Sequence, residues 1–503
     1  MELFSLIETN SPIILVFLSV FLFCYYVLSL KNANYPPGPF KLPFLGNIYF
    51  FNNLRNKKLR LHRALMEEAK KYGDIIGFQV FGQKTVFLIG YDAIHDAFVK
   101  HSDVTSERPH WLDRLKEATK EGKGVVWQSG HDWKVLRKFM LQTMRDFGVG
   151  KTNIEEKIMY EVDAATDYLN TTKAEPTNPR LLTSMIITNV IYGIVFDKRF
   201  DFTDKEFHQI IHNLDIMFKT DGGGGPSSLN SLKLSRIFNR QAYHVAVERL
   251  EVMKWIKSHI YKEITNHEDT FDNDNIRDFV DLYVQIKQQN SDAKIYNKGN
   301  MFRMIMDLFV AGSETTSNTI NWCILYMQEY PGIQKKCQDT ILESCGERTI
   351  TWSDRSKLPY IEATLLEIQR LANIAPMSVP HTTEVDITLG GYTIPRRTLI
   401  VANLYSANMD TRYWDQPELF NPDRFLENGK LKKTPAFIPF STGPRMCLGE
   451  TLARMEMFLV FTNLLQRFTF KREDDNTKHS MESIFVQVTS SPVPYKTRAV
   501  KRT

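Results

Sequence analysis

Apolar residues form one long uninterrupted run near the beginning of the chain. No charged residue occurs between positions 12 and 30, and a helix of that length rises about 28 Å, enough to cross the hydrocarbon core of a bilayer. A cleaved signal peptide needs a basic start, whereas Glu2 and Glu8 precede this run and bulky residues end it. The pattern predicts an uncleaved anchor over 1–31, with a buried helix as the alternative. Basic residues after the run place the remainder of the chain on the cytosolic side.

Proline and glycine interrupt the next part of the chain. The sequence at 36–39 is PPGP, and its prolines fix a backbone dihedral and lack amide donors. This stretch predicts a stiff linker over 32–46 rather than a continued helix. Beyond the linker, apolar and β-branched residues between 75 and 89 surround several glycines, a pattern typical of a β-hairpin.

Apolar residues recur with a helical period over most of the chain from about 92 to 354. Strand signals return near 385–394 and after 467. No internal repeat or long glycine run indicates a second domain. We therefore predict a mainly α fold with small β-sheets (α+β), in which a single large domain over 47–503 follows the anchor.

Charge and cysteine usage narrow the classes of function. The chain has 63 Lys and Arg against 58 Asp and Glu, and the resulting net charge of +5 is too small to indicate nucleic-acid binding. The five cysteines are scattered, without the close pairs of a zinc site or a secreted disulfide framework. This spacing favours a reducing compartment.

One cysteine, Cys447, lies in a loop of unusual composition. The sequence from 440 to 449 is FSTGPRMCLG, and an amphipathic helix follows it. Glycines let backbone N–H groups approach a sulfur, and the positive end of a helix favours a thiolate that binds metal. A buried structural cysteine is the usual explanation for an isolated one. Five fixed positions, each at roughly 5% frequency, coincide by chance in only about one window per few million.

The loop matches the cysteine-ligand signature of the cytochrome P-450 family at all five positions, and the chain resembles that family from position 36 to its C-terminal strands. The resemblance implies that Cys447 binds the iron of haem b. It also implies that Phe440 covers the proximal face of the ring, that Gly443 and Gly449 shape the loop, and that Arg445 meets a haem propionate.

A second signature combines Glu367 and Arg370, one helical turn apart, with Arg424 downstream. Alone, such an i,i+3 pair usually lies on a solvent-facing helix. The segment around Arg424 resembles the family segment whose arginine joins that pair. The resemblance therefore implies a buried structural triad that supports the cysteine loop.

A third signature is the sequence AGSETT at 311–316, within an otherwise apolar run at 301–327. Glycine followed by Ser and Thr is unfavourable in the middle of a helix, and such local conflicts often mark function. By resemblance, Glu314 and Thr315 are the catalytic pair that relays protons to bound oxygen. A Thr-rich face packed on a neighbouring helix is the alternative.

Four further residues resemble the family's haem-propionate contacts. Trp133 and Arg137 lie four positions apart on one helix face, where a surface cation–π contact is the alternative explanation. Arg108 and His381 match further contacts of membrane-bound members, although an arginine in a loop and a histidine after proline have simpler explanations.

The resemblance implies a haem-thiolate monooxygenase that inserts one atom of O2 into a lipophilic substrate by hydroxylation or epoxidation. Electrons come from NADPH through a membrane-bound reductase, with cytochrome b5 as a second candidate donor, and the expected location is the cytosolic face of the endoplasmic reticulum membrane. The docking face for the reductase is predicted from Lys134, Lys138, Arg145, Lys432 and Lys433. The substrate pocket is predicted from Trp111, Phe309, Val310, Ala311, Met377, Val379 and Phe485.

The substrate is less constrained by the sequence. The stretches at 145–148 and 314–319 resemble insect members that oxidise hormone precursors such as sesquiterpenoids or ecdysteroids, and clearance of xenobiotics is the rival within the same enzyme class. A haem-thiolate isomerase and a non-catalytic haem sensor are the alternatives from other classes. Glu314 beside Thr315 argues against both, because neither activity needs a proton relay.

Overall fold

The computed structural model describes residues 16–17, 19–21, 24, 34–57, 59–109, 122–148, 152–218, 240–289, 294–486 and 489–502. Most of the anchor predicted over 1–31 lies outside these residues. Within the described part of the chain, no helix combines the length and the apolar composition needed to cross a membrane.

Helices make up most of the regular structure. The α-helices are α1 (Ile48–Asn56), α2 (Leu61–Tyr72), α3 (Gly90–His95), α4 (Ser102–Thr105), α5 (Gly130–Asp146), α6 (Thr152–Thr171), α7 (Pro179–Val195), α8 (Lys205–Phe218), α9 (Arg240–Asp269), α10 (Phe279–Gln289), α11 (Lys298–Glu329), α12 (Pro331–Cys345), α13 (Pro359–Ala372), α14 (Leu404–Asn408) and α15 (Glu450–Arg467). Shorter turns of other helix types occur at Asp96–Lys100, Trp352–Lys357 and Pro422–Phe425.

The strands are short and form small sheets. They are β1 (Ile75–Val80), β2 (Gln83–Ile89), β3 (His381–Thr382), β4 (Ile387–Leu389), β5 (Tyr392–Ile394), β6 (Leu399–Asn403), β7 (Leu426–Glu427), β8 (Lys430–Leu431), β9 (Phe468–Arg472), β10 (Ser483–Val486), β11 (Thr489–Pro492) and β12 (Thr497–Lys501). One sheet has four strands in the order β1-β2-β6-β3, and the others pair β4 with β5, β7 with β8, β9 with β12 and β10 with β11. The predicted fold class, mainly α with small β-sheets, is confirmed.

The chain divides into two compact units. The smaller unit consists of Met1–Pro109 and Ser378–Ser406, and the larger consists of His110–Met377 and Ala407–Thr503. The domain boundary predicted at position 47 stays a prediction.

The smaller unit is built on the four-stranded sheet. Its β1 and β2 form an antiparallel hairpin in which Val80 lies opposite Gln83. The two turn residues, Phe81 and Gly82, have φ values of 46° and 82°, and positive φ at both positions suits the twist of a two-residue hairpin. The hairpin predicted over 75–89 is therefore confirmed. Strand β6 extends the sheet parallel to β2.

The larger unit has α11 at its centre, packed against α7 and α15. Helix α7 is buried on nearly all sides, as expected for an apolar helix surrounded by protein. A Cβ atom on Gly312 of α11 would lie only 2.9 Å from Cδ1 of Ile191 on α7, so glycine permits this close approach. These contacts hold the polar segment at 311–316 between two neighbouring helices.

Candidate functional site

The cysteine loop of the larger unit folds back on itself before α15 begins. Ser441 and Gly443 have φ values of 64° and 77°, in the left-handed region that favours glycine. The Met446 N–H donates to the Gly443 carbonyl and the Cys447 N–H to the Phe440 carbonyl, each at 3.0 Å. These two bonds fix the backbone of Cys447 and leave its side chain exposed.

The sulfur of Cys447 lies in a mixed electrostatic environment. Removal of water by the surrounding protein and the negative charge of Glu450 raise the pKa of the thiol above its ordinary value, while the Gly449 N–H and the positive charge of Arg137 lower it. Gly449 also immediately precedes α15, so its N–H belongs to the positive end of that helix. The groups that favour a thiolate therefore come from the end of the loop and from α5, and a bound cation would add to their effect.

Trp133 and two arginines form a cluster close to this loop. The guanidinium of Arg445 lies 3.7 Å from the centre of the Trp133 ring, and that of Arg137 lies 6.0 Å from it. Arg137 also donates from Nη2 to the Met446 carbonyl at 2.7 Å. The indole Nε1 of Trp133 is buried and has no hydrogen-bond partner within the described structure. A buried donor beside two cations suits an anionic acceptor such as a carboxylate.

Arg445 is held in place by the segment before α5. Its Nη2 donates to the Gln128 carbonyl at 2.6 Å and its Nη1 to the Val125 carbonyl at 3.4 Å. These two bonds orient the Arg445 guanidinium, which carries five N–H donors in a fixed planar arrangement.

Asp307 on α11 positions that segment in turn. Its Oδ2 accepts from the Val125 N–H at 2.8 Å and from the Val126 N–H at 3.1 Å, and burial raises its pKa to about 6. A Cβ on Gly124, where φ is 62°, would lie 2.3 Å from the same oxygen. Sequence reasoning missed Asp307, although an acid inside the apolar run at 301–327 was a usable signal.

The predicted catalytic residues of α11 face different surroundings. Thr315 is half-buried, and its Oγ1 donates to the Ala311 carbonyl at 2.6 Å. The Glu314 side chain is buried, and its Oε1 accepts from Asn318 Nδ2 at 2.7 Å. Consecutive helical residues project about 100° apart, so the two side chains leave the helix in different directions.

A chain of charges continues from Glu314 to α7 and α8. Nη2 of Arg180 lies 3.6 Å from Glu314 Oε1 and 2.9 Å from Asp215 Oδ1. Burial raises the pKa of Glu314 to about 6, while Arg180 and Asn318 oppose that shift. The side chains of Arg180 and Asp215 are 29% and 40% exposed, so this ion cluster connects the buried Glu314 with solvent. The sequence motif did not indicate Arg180.

Glu367, Arg370 and Arg424 lie together in the larger unit. Arg370 donates to both carboxylate oxygens of Glu367, at 2.7 and 2.9 Å, and Arg424 Nε donates to Oε1 at 2.9 Å. The Asn421 N–H adds a fourth bond at 3.0 Å. The network joins α13 to the turn at Pro422–Phe425, so these three side chains have a structural role here.

Arg108 and His381 belong to the smaller unit, and both are buried there. Arg108 Nη1 donates to the carbonyls of Pro380 and Val379 at 2.9 and 3.3 Å. His381 Nδ1 lies 2.8 Å from the Thr105 carbonyl oxygen, and its ring stacks on Phe98 at 4.0 Å. Their roles toward a propionate stay predictions.

The α11 residues predicted to line the substrate pocket differ in exposure. Ala311 is exposed and Val310 is half-buried. The Phe309 ring is buried instead, 4.7 Å from the ring of Tyr192 and 6.0 Å from that of Phe196. The open face of this helix therefore includes Ala311, whereas Phe309 packs in the core.

The other predicted pocket residues are Met377, Val379, Trp111 and Phe485. Met377 in the larger unit is half-buried, and Val379 in the smaller unit is 37% exposed. Trp111 and the side chain of Phe485 lie outside what the structure describes.

Within the described residues, a second group of potential metal ligands consists of His267, Asp278 and Asp281. His267 Nε2 lies 2.7 Å from Asp278 Oδ2, and Arg277 donates to both oxygens of Asp281 at 2.6 and 2.8 Å. These mutual bonds occupy the ligand atoms and join the ends of α9 and α10.

Comparison with known proteins agrees with this arrangement. The family model described as Cytochrome P450 matches residues 36–499. Cytochrome P450 2J2 of Homo sapiens is 34% identical over 473 residues, which cover 93% of this chain and 92% of that protein. Cytochrome P450 2B12 of Rattus norvegicus is 36% identical over 478 residues, 94% of each chain. Cytochrome P450 2B19 of Mus musculus is 37% identical over 448 residues, 87% of this chain and 88% of the relative. The chain therefore belongs to the cytochrome P450 family, the haem-dependent monooxygenases that use O2 and electrons passed from NADPH by a reductase.

Proposed function

We propose that this protein is a membrane-bound haem-thiolate monooxygenase that inserts one oxygen atom into a lipophilic substrate. The observation that carries the proposal is the position of two cations between the cysteine loop and Trp133. Arg137 donates to the Met446 carbonyl beside Cys447, and both Arg137 and Arg445 lie against the Trp133 ring, whose buried N–H has no acceptor within the described structure. Haem b has an iron for the sulfur and two carboxylates for the Trp133, Arg137 and Arg445 donors. The residues present therefore fit this group.

Each residue of the loop has a separate task in this proposal. Cys447 would hold the iron, and Trp133, Arg137 and Arg445 would hold the propionates. When bound, the haem supplies the iron centre at which O2 is activated. The Gly449 N–H and the start of α15 stabilise negative charge on the sulfur, and Phe440, whose ring lies 5.1 Å from the Arg454 guanidinium, limits the approach of water.

Glu314 and Thr315 are proposed to deliver protons. A carboxyl with a pKa of about 6 can both hold and release a proton near neutral pH. Arg180 and Asp215 supply a polar route between this carboxyl and solvent. The Thr315 hydroxyl, now bonded to the Ala311 carbonyl, can rotate toward another acceptor because hydroxyl hydrogens reorient freely.

The membrane and substrate assignments extend the same proposal. The apolar run at 12–30 is proposed to anchor the chain in the endoplasmic reticulum membrane, with the catalytic residues on the cytosolic side. The exposed Ala311 and half-buried Val310 and Met377 favour a lipophilic substrate. A hormone precursor stays the predicted substrate and xenobiotics its rival, which a mass-spectrometric screen of both compound classes against the holoprotein would separate.

A carbon-monoxide difference spectrum of the reduced protein tests the central claim. The wild type is expected to give the Soret band of a thiolate-bound haem, and Cys447→Ser is expected to lose it. Cys345→Ser, at a buried cysteine that ends α12, is the matched control and should keep it. An unchanged band in Cys447→Ser would refute the proposal, and a normal band without NADPH-dependent product would favour a haem sensor.

A further inference from the structure

Glu450 and Arg454 form an ion pair at the start of α15, just beyond the cysteine loop. Glu450 is the first residue of the helix, and Arg454 lies about one turn further along it. Arg454 Nε donates to Glu450 Oε1 at 2.9 Å. The side chains of Arg454 and Glu450 are 28% and 25% exposed, so the protein partly shields this pair from water.

Arg454 also reaches the other end of the cysteine loop. Its guanidinium lies 5.1 Å from the centre of the Phe440 ring, within the range of a cation–π contact. The Phe440 carbonyl in turn accepts from the Cys447 N–H at 3.0 Å. One guanidinium therefore contacts both the first residue of the loop and the first residue of the helix that follows the loop.

These contacts place one charge of each sign close to Cys447. Glu450 follows the cysteine by three residues, and three residues of chain span at most about 10 Å. Arg454 is bonded to Glu450 and packs on the ring of the residue that is bonded to Cys447. Opposite charges this close together largely cancel at a longer distance. The sulfur therefore experiences little net field from the pair while both charges are present.

We propose that the Glu450–Arg454 ion pair sets the reduction potential of the haem centre that Cys447 would hold. Reduction adds one electron, and hence one negative charge, at that centre. A nearby positive charge favours the added electron and a nearby negative charge opposes it. In the intact pair these two effects offset each other. The inference rests on the proposed role of Cys447 as the haem ligand.

Glu450→Gln and Arg454→Gln are expected to shift the potential in opposite directions. Glu450→Gln leaves the cation of Arg454 uncompensated, which favours the reduced protein. Arg454→Gln leaves the carboxylate of Glu450 uncompensated, which favours the oxidised protein. At an electrode potential fixed at the wild-type midpoint, the ratio of reduced to oxidised protein should rise or fall by roughly threefold to tenfold, the effect of one partly screened charge about 8 Å away.

Two further variants separate charge from packing. The double variant Glu450→Gln with Arg454→Gln removes both charges, so the ratio should return close to the wild-type value. Arg454→Lys keeps the positive charge but loses the planar guanidinium over Phe440, and its ratio should also stay close to that of the wild type. A merely structural role of the pair would not make the shifts of the two single variants cancel.

Arg467→Gln is the matched control. Arg467 is an ion-paired arginine at the other end of the same helix, with Nη1 2.7 Å from Asp163 Oδ1, and its side chain is 24% exposed. It lies about 20 Å from Arg454 along the helix. Loss of its charge should therefore leave the ratio of reduced to oxidised protein unchanged.

Spectroelectrochemical titration of the holoprotein measures these ratios without the reductase, so a change in docking does not affect them. Single variants that shift in the same direction, that match Arg467→Gln, or that fail to cancel in the double variant would overturn the inference. If Arg454→Gln does not retain haem, the upward shift of Glu450→Gln relative to Arg467→Gln decides the question alone. A wild type without the thiolate-type Soret band would instead refute the proposed function, which keeps the two failures distinct.

Discussion

At the scale of single residues, the clearest feature is the buried indole N–H of Trp133 beside two guanidinium groups. Arg445 stacks on the ring at 3.7 Å, so the ring itself is already used for packing. The N–H group has no acceptor within the described structure. Native proteins rarely leave such a donor unsatisfied, which makes it a sensitive probe of what the site holds.

Trp133→Phe keeps an aromatic ring under Arg445 but removes the N–H. Because a hydrogen bond to a charged acceptor is worth about 1.5–3 kcal/mol, haem affinity should fall by roughly tenfold or more. The measurement is the rate at which haem transfers to an excess of an acceptor protein. Trp352→Phe, which removes an indole from the turn at Trp352–Lys357, is the control, and equal transfer rates in the two variants would contradict the assignment.

Glu456 gives a pH dependence of stability with a definite sign. Burial raises its pKa to about 8 from an ordinary value of 4.5, so between these values the folded protein holds a proton that the unfolded chain releases. The free energy of unfolding therefore falls as pH rises through this window, by up to about 1.4 kcal/mol per pH unit. Glu456→Gln lacks this dependence.

Urea denaturation of the holoprotein checks the sign. Between about pH 5.5 and about pH 7.5, the wild type should lose stability relative to Glu456→Gln by about 2–3 kcal/mol, seen as a fall in its urea midpoint. Parallel midpoints over this range would show that the carboxyl is already ionised in the folded protein.

At the scale of elements, α11 organises the site from both of its faces. Asp307 accepts from the N–H groups of Val125 and Val126. The carbonyls of Val125 and Gln128 hold Arg445, and Glu314 joins the ion cluster with Arg180. The same helix packs closely on α7 at Gly312. A change in any of these contacts is therefore expected to reach the cysteine loop through backbone position rather than through direct contact.

Gly124→Ala tests that connection. The added Cβ would lie 2.3 Å from Asp307 Oδ2 at a residue with φ of 62°, so the segment before α5 must move and Arg445 loses its carbonyl acceptors. Two costs, backbone strain and the lost hydrogen bonds, should destabilise the holoprotein by about 1–3 kcal/mol. Loss of haem from this variant should also be faster than from the wild type.

Gly332→Ala is the control for this substitution. A Cβ on Gly332, in the first turn of α12, would meet nothing within 4 Å. Thermal denaturation and haem transfer should therefore be close to those of the wild type. Equal behaviour of the two alanine variants would argue against the link from Asp307 to Arg445.

At the scale of the whole molecule, electron delivery is predicted to depend on an exposed basic face. Lys134, Lys138 and Arg145 are exposed along α5, and Lys432 and Lys433 are exposed after β8. Reversing charge with Lys134→Glu and Lys432→Glu should slow reduction by NADPH and its reductase several-fold at low salt, with the difference fading at high salt because exposed charges are screened.

Lys335→Glu is the matched control for that pair. Lys335 is an exposed lysine of α12 that lies 2.7 Å from Asp339, outside the predicted docking face. Stopped-flow reduction at two ionic strengths measures all variants. A double variant that matches the control at low salt would show that the reductase docks elsewhere.

Much of this molecule was already determined by the sequence. The helical period, the hairpin over 75–89 and the mainly α fold follow from which residues are apolar and how they are spaced, because these patterns reflect local backbone geometry. The family follows from the loop at 440–449, where each position has a chemical constraint of its own. A short motif can be recognised from the sequence alone because its residues act within one turn of the chain.

Only the tertiary structure decided the contacts between distant segments. It placed Asp307 on Val125 and Arg180 on Glu314, and it turned the Phe309 ring into the core. Periodicity shows which residues share a helix face, but not which neighbouring helix that face meets. The partner, burial and pKa of a polar side chain depend on that packing, so they cannot be predicted from position along the chain.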